Sequence, residues 1–385
     1  MKLTDVCDFQ GGSQPPKTQW SDEPKEGYIR MLQIRDFTQD NSKVEYVKIT
    51  NSTKKCEEKD ILIARYGASI GKILTGLSGA YNVAMMKVII DENIVDRKFI
   101  YYFFKSDVFQ NYIRNVGQRA AQAGFNKGEL SKININLPTL KEQKNVAKEL
   151  DKVQEMIDIR EKQIEQLDEL IKSQFVEMFG DPKSNDKNWI KAPMGDYMTV
   201  LTDFSSNGSY KTLDSKVVMY DEPKYAYMVR TTDLENDDYK NNVKYITEEA
   251  YNFLSKSKVY PDDIIMNKIG SAGKVYIMPD VGMPVSLGRN VFLFRYSDDI
   301  VPLFIYYLLK SEYGTNEISQ YVRGAVTKTI TKDDARKVKI IVPPIELQNQ
   351  FADIVKQIDK QKFEIQKNLE EMQKLQESLM NKYFG

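Results

Sequence analysis

The chain has no histidine and only two cysteines, Cys7 and Cys56, in 385 residues. The first absence removes the commonest general base, the Ser-His and Cys-His nucleophile pairs and the imidazole metal sites together, which argues against most hydrolytic chemistry. The two cysteines stand far apart and fit neither a disulfide framework nor a zinc-ligand spacing, so no metal site is expected. Long apolar runs are missing as well. Phe99 to Phe104 is among the longest, far short of the roughly 20 residues that a membrane-spanning helix needs, and the first residues lack the apolar core of a signal peptide. A cytoplasmic protein without a membrane partner is expected. Net charge is absent too, 55 Lys+Arg against 55 Asp+Glu, and the sum alone argues against a polyanionic partner.

What the chain does have is itself, twice. Phe99-Ile100-Tyr101-Tyr102 followed by Lys105-Ser106 returns as Phe304-Ile305-Tyr306-Tyr307 followed by Lys310-Ser311. Leu137-Pro138 with Gln143 returns as Val342-Pro343 with Gln348, and Phe179-Gly180 as Phe384-Gly385, all at one constant separation. A period this long describes duplicated domains rather than the layers of a solenoid. It divides the chain into a globular domain over 1–136, a helical segment over 137–182, a second globular domain over 183–341 and a second helical segment over 342–385. Pseudo-two-fold symmetry and two similar but non-identical working surfaces follow.

Between Glu142 and Met178 there is neither proline nor glycine, and apolar residues fall at 4-3 spacing: Val146, Leu150, Val153, Ile157, Ile164, Leu167 and Ile171. The second copy repeats the seam as Phe351, Val355, Ile358, Ile365, Leu369, Met372 and Leu379. Such a seam, sustained over about five heptads, predicts a long coiled-coil helix in each copy. Pro138 and Pro343 precede the helices and Gly180 and Gly385 follow them, as start and stop signals should. A helix from Lys141 to Phe179 would be about 58 Å long, the length of roughly 17 base pairs. Because one chain supplies two matched helices, an intramolecular antiparallel pair is expected over a zipper between two chains. Leu170 and Leu375 flank the seams and widen the apolar face toward helices of another protein.

Each helix follows a segment of mixed character, read as an α+β domain. Ile29–Gln33, Ile61–Ala64 and Val83–Ile90 read as strands and Lys98–Lys105 as a buried aromatic helix; the second copy gives Ala226–Arg230, Ile264–Asn267, Val291–Phe294 and Leu303–Lys310. Asp60 to Gly67 followed by Gly71-Lys72 reappears as Asp263 to Gly270 followed by Gly273-Lys274. This is not a phosphate-binding loop, which wants four residues between its glycines and Ser or Thr after the lysine. A glycine-bounded turn exposing Arg65 or Lys268, then Lys72 or Lys274, accounts for it better. Val342-Pro343-Pro344-Ile345 lacks the amide of an amino-methyltransferase site. The acid-x-lysine pattern of Pro261-Asp262-Asp263 and Asn267-Lys268 fails in the first copy, so Asp60 and Asp263 read as turn residues rather than nuclease ligands.

Charge, balanced overall, is uneven locally. Residues 97–132 hold seven basic side chains against Asp107 and Glu129, and residues 323–339 hold six against Asp333 and Asp334. These stretches are candidate phosphate-facing surfaces, or else ordinary solvated faces. Within them each copy has a polar, basic loop. Gln118, Arg119, Gln122, Asn126 and Lys127 in one, and Arg323, Thr327, Lys328, Thr329 and Lys332 in the other, carry the side chains that pair with base edges in a DNA groove.

Taken in order, these features resemble the specificity subunit of type I restriction-modification systems: two target recognition domains, each followed by a Leu/Val-Pro-x-x-x-x-Gln lead-in, a long heptad helix and Phe-Gly. The resemblance covers the whole chain. It implies a DNA-reading protein without catalysis of its own, whose two domains bind the halves of an interrupted double-stranded DNA target. The paired helices would act as spacer and as dock for two modification (methyltransferase) subunits, with restriction subunits joining the complex. No cofactor is then expected in this chain; S-adenosylmethionine, ATP and Mg2+ belong on partner subunits. Two other classes remain open at this point, a self-sufficient DNA methyltransferase or nuclease with an unrecognised active site, and a structural coiled-coil dimer.

Overall fold

The computed structural model describes residues 1–119 and 124–385, of which 117–119 through the backbone alone. Packing divides the chain into two units, Met1–Lys162 with Ile365–Gly385, and Gln163–Glu364. The helix Leu140–Phe179 starts in the first unit and ends in the second, and the helix Ile345–Phe384 does the reverse.

In the first unit one antiparallel sheet has the spatial order Cys7–Gly11, Met85–Ile90, Leu62–Ala64, Ile73–Leu74. A second sheet runs Trp20–Ser21, Glu45–Lys48, Tyr28–Leu32, Gly79–Tyr81, Lys55–Cys56, with Tyr28–Leu32 parallel to Gly79–Tyr81. The second unit builds the same two sheets, the second without a counterpart of Trp20–Ser21. Met198–Asp203, Val291–Tyr296, Ile264–Asn267 and Val275–Ile277 form the first, and Tyr245–Ile246, Ala226–Val229, Val285–Leu287 and Lys258–Val259 the second, again with one parallel pair. The duplication read in the sequence is thus a duplication of topology.

Fully buried strands such as Ile264–Asn267 have a core on each face. Side chains alternate along a strand, so Ile264 and Met266 join Phe292, Phe294 and the aromatic helix Pro302–Lys310, while Ile265 and Leu293 pack with Tyr227, Val229 and Val285 of the other sheet. The first unit's N-terminal edge is fixed as in the second copy: Lys2 bridges Asn134 where Pro193 pairs Lys339. Burial pushes the Cys7 thiol up to about 12 and the Cys56 thiol to about 11, so both stay protonated and unreactive at neutral pH.

The two long helices pair antiparallel within each unit. In the first, Glu149 accepts from the Tyr383 hydroxyl at 2.5 Å and Gln154 from Gln376 Nε2 at 2.9 Å; in the second, Lys362 Nζ donates to Asp168 at 2.6 Å. Val146, Leu150, Val153, Ile157, Ile171, Phe351, Val355, Ile358, Leu369 and Leu379 are buried, and Ile164, Leu167, Ile365 and Met372 half-buried. Leu170 and Leu375 remain 43% and 48% exposed at equivalent positions. At its start the first helix is capped by Thr139 and Glu142, which exchange hydrogen bonds, and at its end Gly180 adopts a left-handed φ of 75°.

The lead-in glutamine of each copy is a buried staple. Gln143 Nε2 donates to the carbonyls of Pro138 and Ile94 at 2.8 and 3.2 Å, and its Oε1 accepts from Asp96 N–H at 2.8 Å. Gln348 repeats this with Pro343, Asp299 and Val301 at 2.9, 3.0 and 2.9 Å. Each amide ties the start of a long helix to the loop before the aromatic helix, with its nitrogen donating twice and its oxygen accepting once. Gln143→Ala or Gln348→Ala removes the side-chain partner of three backbone groups, most of them part-buried, and is expected to cost about 2 kcal/mol, to be read from urea unfolding.

Candidate nucleic-acid interface

In each head a glycine turn follows the buried central strand. Gly67 and Gly71 have φ of 67° and 82°, and Gly270 and Gly273 have 86° and 91°, conformations that L side chains rarely adopt. A Cβ on Gly273 would lie 2.6 Å from Ile318, so the turn also needs glycine for space. Against this turn lies the basic loop, pinned by the same backbone bridge in both heads: Tyr66 with Gly124, and Ile269 with Thr329. In the second head Gly270 N–H donates to Lys328 O at 3.0 Å and Ile330 N–H to Lys268 O at 3.1 Å. Turn and loop form one ledge.

The side chains proposed for DNA contact separate into two groups. Lys72, Lys274, Thr327 and Lys328 are exposed, and the three lysines meet no carboxylate at ion-pair distance among the described residues. Arg65 Nε donates to Phe125 O at 3.2 Å, its guanidinium lies 5.0 Å from the Tyr66 ring centroid, and it too lacks a carboxylate partner. Arg323, mostly exposed, lies 3.3 Å from Asp334. Asn126, Lys127, Thr329, Lys268 and Lys332 are held by the protein. Asn126 caps the helix Lys127–Leu130 by accepting from Glu129 N–H at 3.1 Å, Lys127 pairs with Asp8, and Thr329 closes the loop. Gln118 and Arg119 end the helix Asp107–Arg119, and Gln122 lies outside the described residues.

Lys268 and Lys332 converge on Asp203, each with Nζ 2.9 Å from a carboxylate oxygen, and Ser206 completes the cluster. Burial by itself would raise the Asp203 carboxyl. Hydrogen bonds from Lys268, Lys332 and Ser206 outweigh it and hold the group at about 2. Asp203 therefore fastens the edge strand, the turn and the end of the loop to one another. In the first head Asp8 of the edge strand pairs with Lys127, which follows the loop, but among the described residues no carboxylate joins Arg65 of the turn to them. Gly11 pairs with Met86, itself opposite Ile63, just as Asp203 pairs with Phe292 opposite Met266, and Ile63 and Met266 both stand three residues after the signature aspartate. A Cβ on Gly11 would lie 3.3 Å from Arg65 Nη1. Arg65 is thus left uncompensated where Lys268 is neutralised.

The signature aspartates are the turn residues they were read to be. Asp60 accepts from Glu57 N–H at 2.9 Å and pairs with Lys87 at 2.5 Å; Asp263 accepts from Tyr260 N–H at 2.7 Å and takes Arg295 on both oxygens at 2.6 and 2.7 Å. Sequence reasoning passed over Asp203, because only strand register brings position 203 beside 268 and 332.

Residues 1–169 and 198–374 match the type I restriction modification DNA specificity domain. Over 99% of its length the chain is 27% identical to the type I restriction enzyme MjaVIII specificity subunit of Methanocaldococcus jannaschii, of which 90% is covered. Its fold is similar to the crystal structure of the type I restriction-modification system S subunit from M. genitalium, with a TM-score of 0.59 and 16% identity over 100% of this chain and 95% of the other. A chain from a structural study of complex assembly and conformational transition of the type I R-M system gives 0.55 and 15%, covering 100% and 99%. With the domain matched twice, and two heads of one topology each followed by a stapled long helix, this chain belongs to the family of type I restriction-modification DNA specificity subunits.

Proposed function

We propose that each head, residues 1–136 and 183–341, is a target recognition domain that reads one half of a two-part double-stranded DNA target. The helical segments 137–182 and 342–385 set the spacing between the halves and dock two modification subunits, for which the exposed Leu170 and Leu375 provide apolar contact. Restriction subunits complete the assembly, in line with the complex-assembly study that names one of the similar structures. The chain contributes recognition without catalysis. S-adenosylmethionine, ATP and Mg2+ would act on the partner subunits.

One observation carries this reading. In both heads a glycine turn is bridged to the end of the basic loop, and among the described residues both turns leave cations without carboxylate partners, the arrangement a phosphate backbone requires. The test is methylome mapping of a host expressing the partner subunits with and without this chain. An interrupted, two-part methylated motif present only with the chain is expected, and an unchanged methylome overturns the reading. In the assembled complex, replacing Lys72, Lys274 and Lys328 by glutamine should weaken binding to all sequences alike. The slope of log K against log salt should become shallower by about 2–3, measured by fluorescence anisotropy.

A further inference from the structure

At the tip of the second head's loop stands Val326, 97% exposed, the most exposed large apolar side chain among the described residues. An isolated surface valine is ordinary in itself. This one sits on a hairpin closed by backbone hydrogen bonds. Arg323 N–H donates to Thr329 O at 2.9 Å and Thr329 N–H to Arg323 O at 2.8 Å, closing a tight hairpin. Gly324 turns within it at φ 102°, packed on the Thr327 carbonyl. Below, the bridge to Ile269 and the Lys332–Asp203 pair anchor both ends. The tip is flanked by the exposed cations Arg323 and Lys328.

A cationic hairpin that presents one bare aliphatic group has a matching surface in DNA. The major groove is polar along the base edges except for one apolar group, the 5-methyl of thymine. Valine is stiff at χ1, so little side-chain freedom is lost when it docks. We propose that Val326 enters the major groove of the second half-site and reads a thymine 5-methyl group, with Arg323 and Lys328 holding the flanking phosphates. The inference rests on the DNA-reading role proposed for the heads and adds to it a residue and the chemical group it recognises.

The test uses the assembled complex and duplexes carrying the motif found by methylome mapping, with each thymine of the second half-site replaced in turn by deoxyuridine. For the unaltered protein one such replacement should lower affinity about fivefold, the effect of one methyl group withdrawn from apolar contact. Val326→Ala should bind the all-thymine duplex about fivefold more weakly and become indifferent to that uridine, while Val326→Ile stays sensitive to it. Val326 touches nothing in the fold, so melting temperatures should be unchanged. Lys328→Gln serves as the control and should weaken every duplex equally. If Val326→Ala keeps both the affinity and the uridine response, or if no single uridine matters, the proposal is overturned while the response to Lys328→Gln still supports DNA reading. If neither variant changes DNA binding, the role of the heads falls with it.

Discussion

Phe384→Ala should destabilise the first unit by about 3–5 kcal/mol, and Phe179→Ala the second by as much. Each side chain ends a long helix inside the core of the unit where that helix terminates. Phe384 lies 5.1 Å from Phe99 and 6.0 Å from Phe103 between ring centroids, and Phe179 lies 4.8 Å from Phe304 and 5.4 Å from Phe351. Removing either leaves a cavity walled by aromatic rings that the close-packed core around it can only partly collapse to fill. The chain holds two tryptophans, Trp20 in the first unit and Trp189 in the second, so each unit has its own fluorophore. In a Trp189→Phe background, Phe384→Ala should lower the urea midpoint reported by Trp20. In a Trp20→Phe background, Phe179→Ala should lower the midpoint reported by Trp189, whose indole N–H donates to Phe179 O at 2.8 Å and keeps that backbone partner. Losses below about 1 kcal/mol would show that these rings do not bear on the core as their geometry indicates.

Asp203→Asn is expected to cost about 3 kcal/mol and to act on one half of the target only. The substitution leaves two ammonium groups, Lys268 and Lys332, facing a neutral amide in a largely buried cluster, and breaking a buried pair from one side is costlier than never having built it. The pH dependence has a definite sign. The folded-state carboxyl, at about 2, lies below its unfolded value near 3.9, so its stabilisation of about 2 kcal/mol is complete above about pH 5 and is lost as pH falls through 3.9 toward 2. Asp203→Asn should remove that part of the acid slope, visible by comparing urea unfolding at pH 3 and pH 6. Because the same carboxylate holds the loop, the variant should lose discrimination in the second half-site while the first, built around Gly11 and Arg65, keeps its sequence preference. Equal relaxation of both halves would contradict a local post.

The long helices were legible because a seam at 4-3 spacing is a local property, and its residues are buried or half-buried as their order implies. Their lead-ins were legible as motifs, but the purpose of Gln143 was not, since two of its hydrogen-bond partners lie 47 and 49 residues upstream. The strands that were expected fall within a residue or two of their observed ends, but the edge strands Cys7–Gly11 and Met198–Asp203, whose mixed polar and apolar residues carry no clean alternation, were missed despite their length. Short ones such as Trp20–Ser21 and Lys258–Val259 escaped notice because two residues carry no periodicity. The candidate contacts were the least legible part. A sequence records that Lys268 and Lys332 are positive but not that a single carboxylate from a distant strand has already taken both, whereas the equally basic Lys274 and Lys328 were left to solvent.

The first unit is discontinuous, completed by residues 365–385, and this sets an order on biosynthesis. Those residues leave the ribosome only after the whole second unit has been made. The half of the molecule translated first is therefore finished last, and until then Phe99 and Phe103 wait with one apolar flank uncovered, open to chaperones or to a nascent neighbour. A chain cut short just after Glu364 would carry a complete second unit and an unfinished first one.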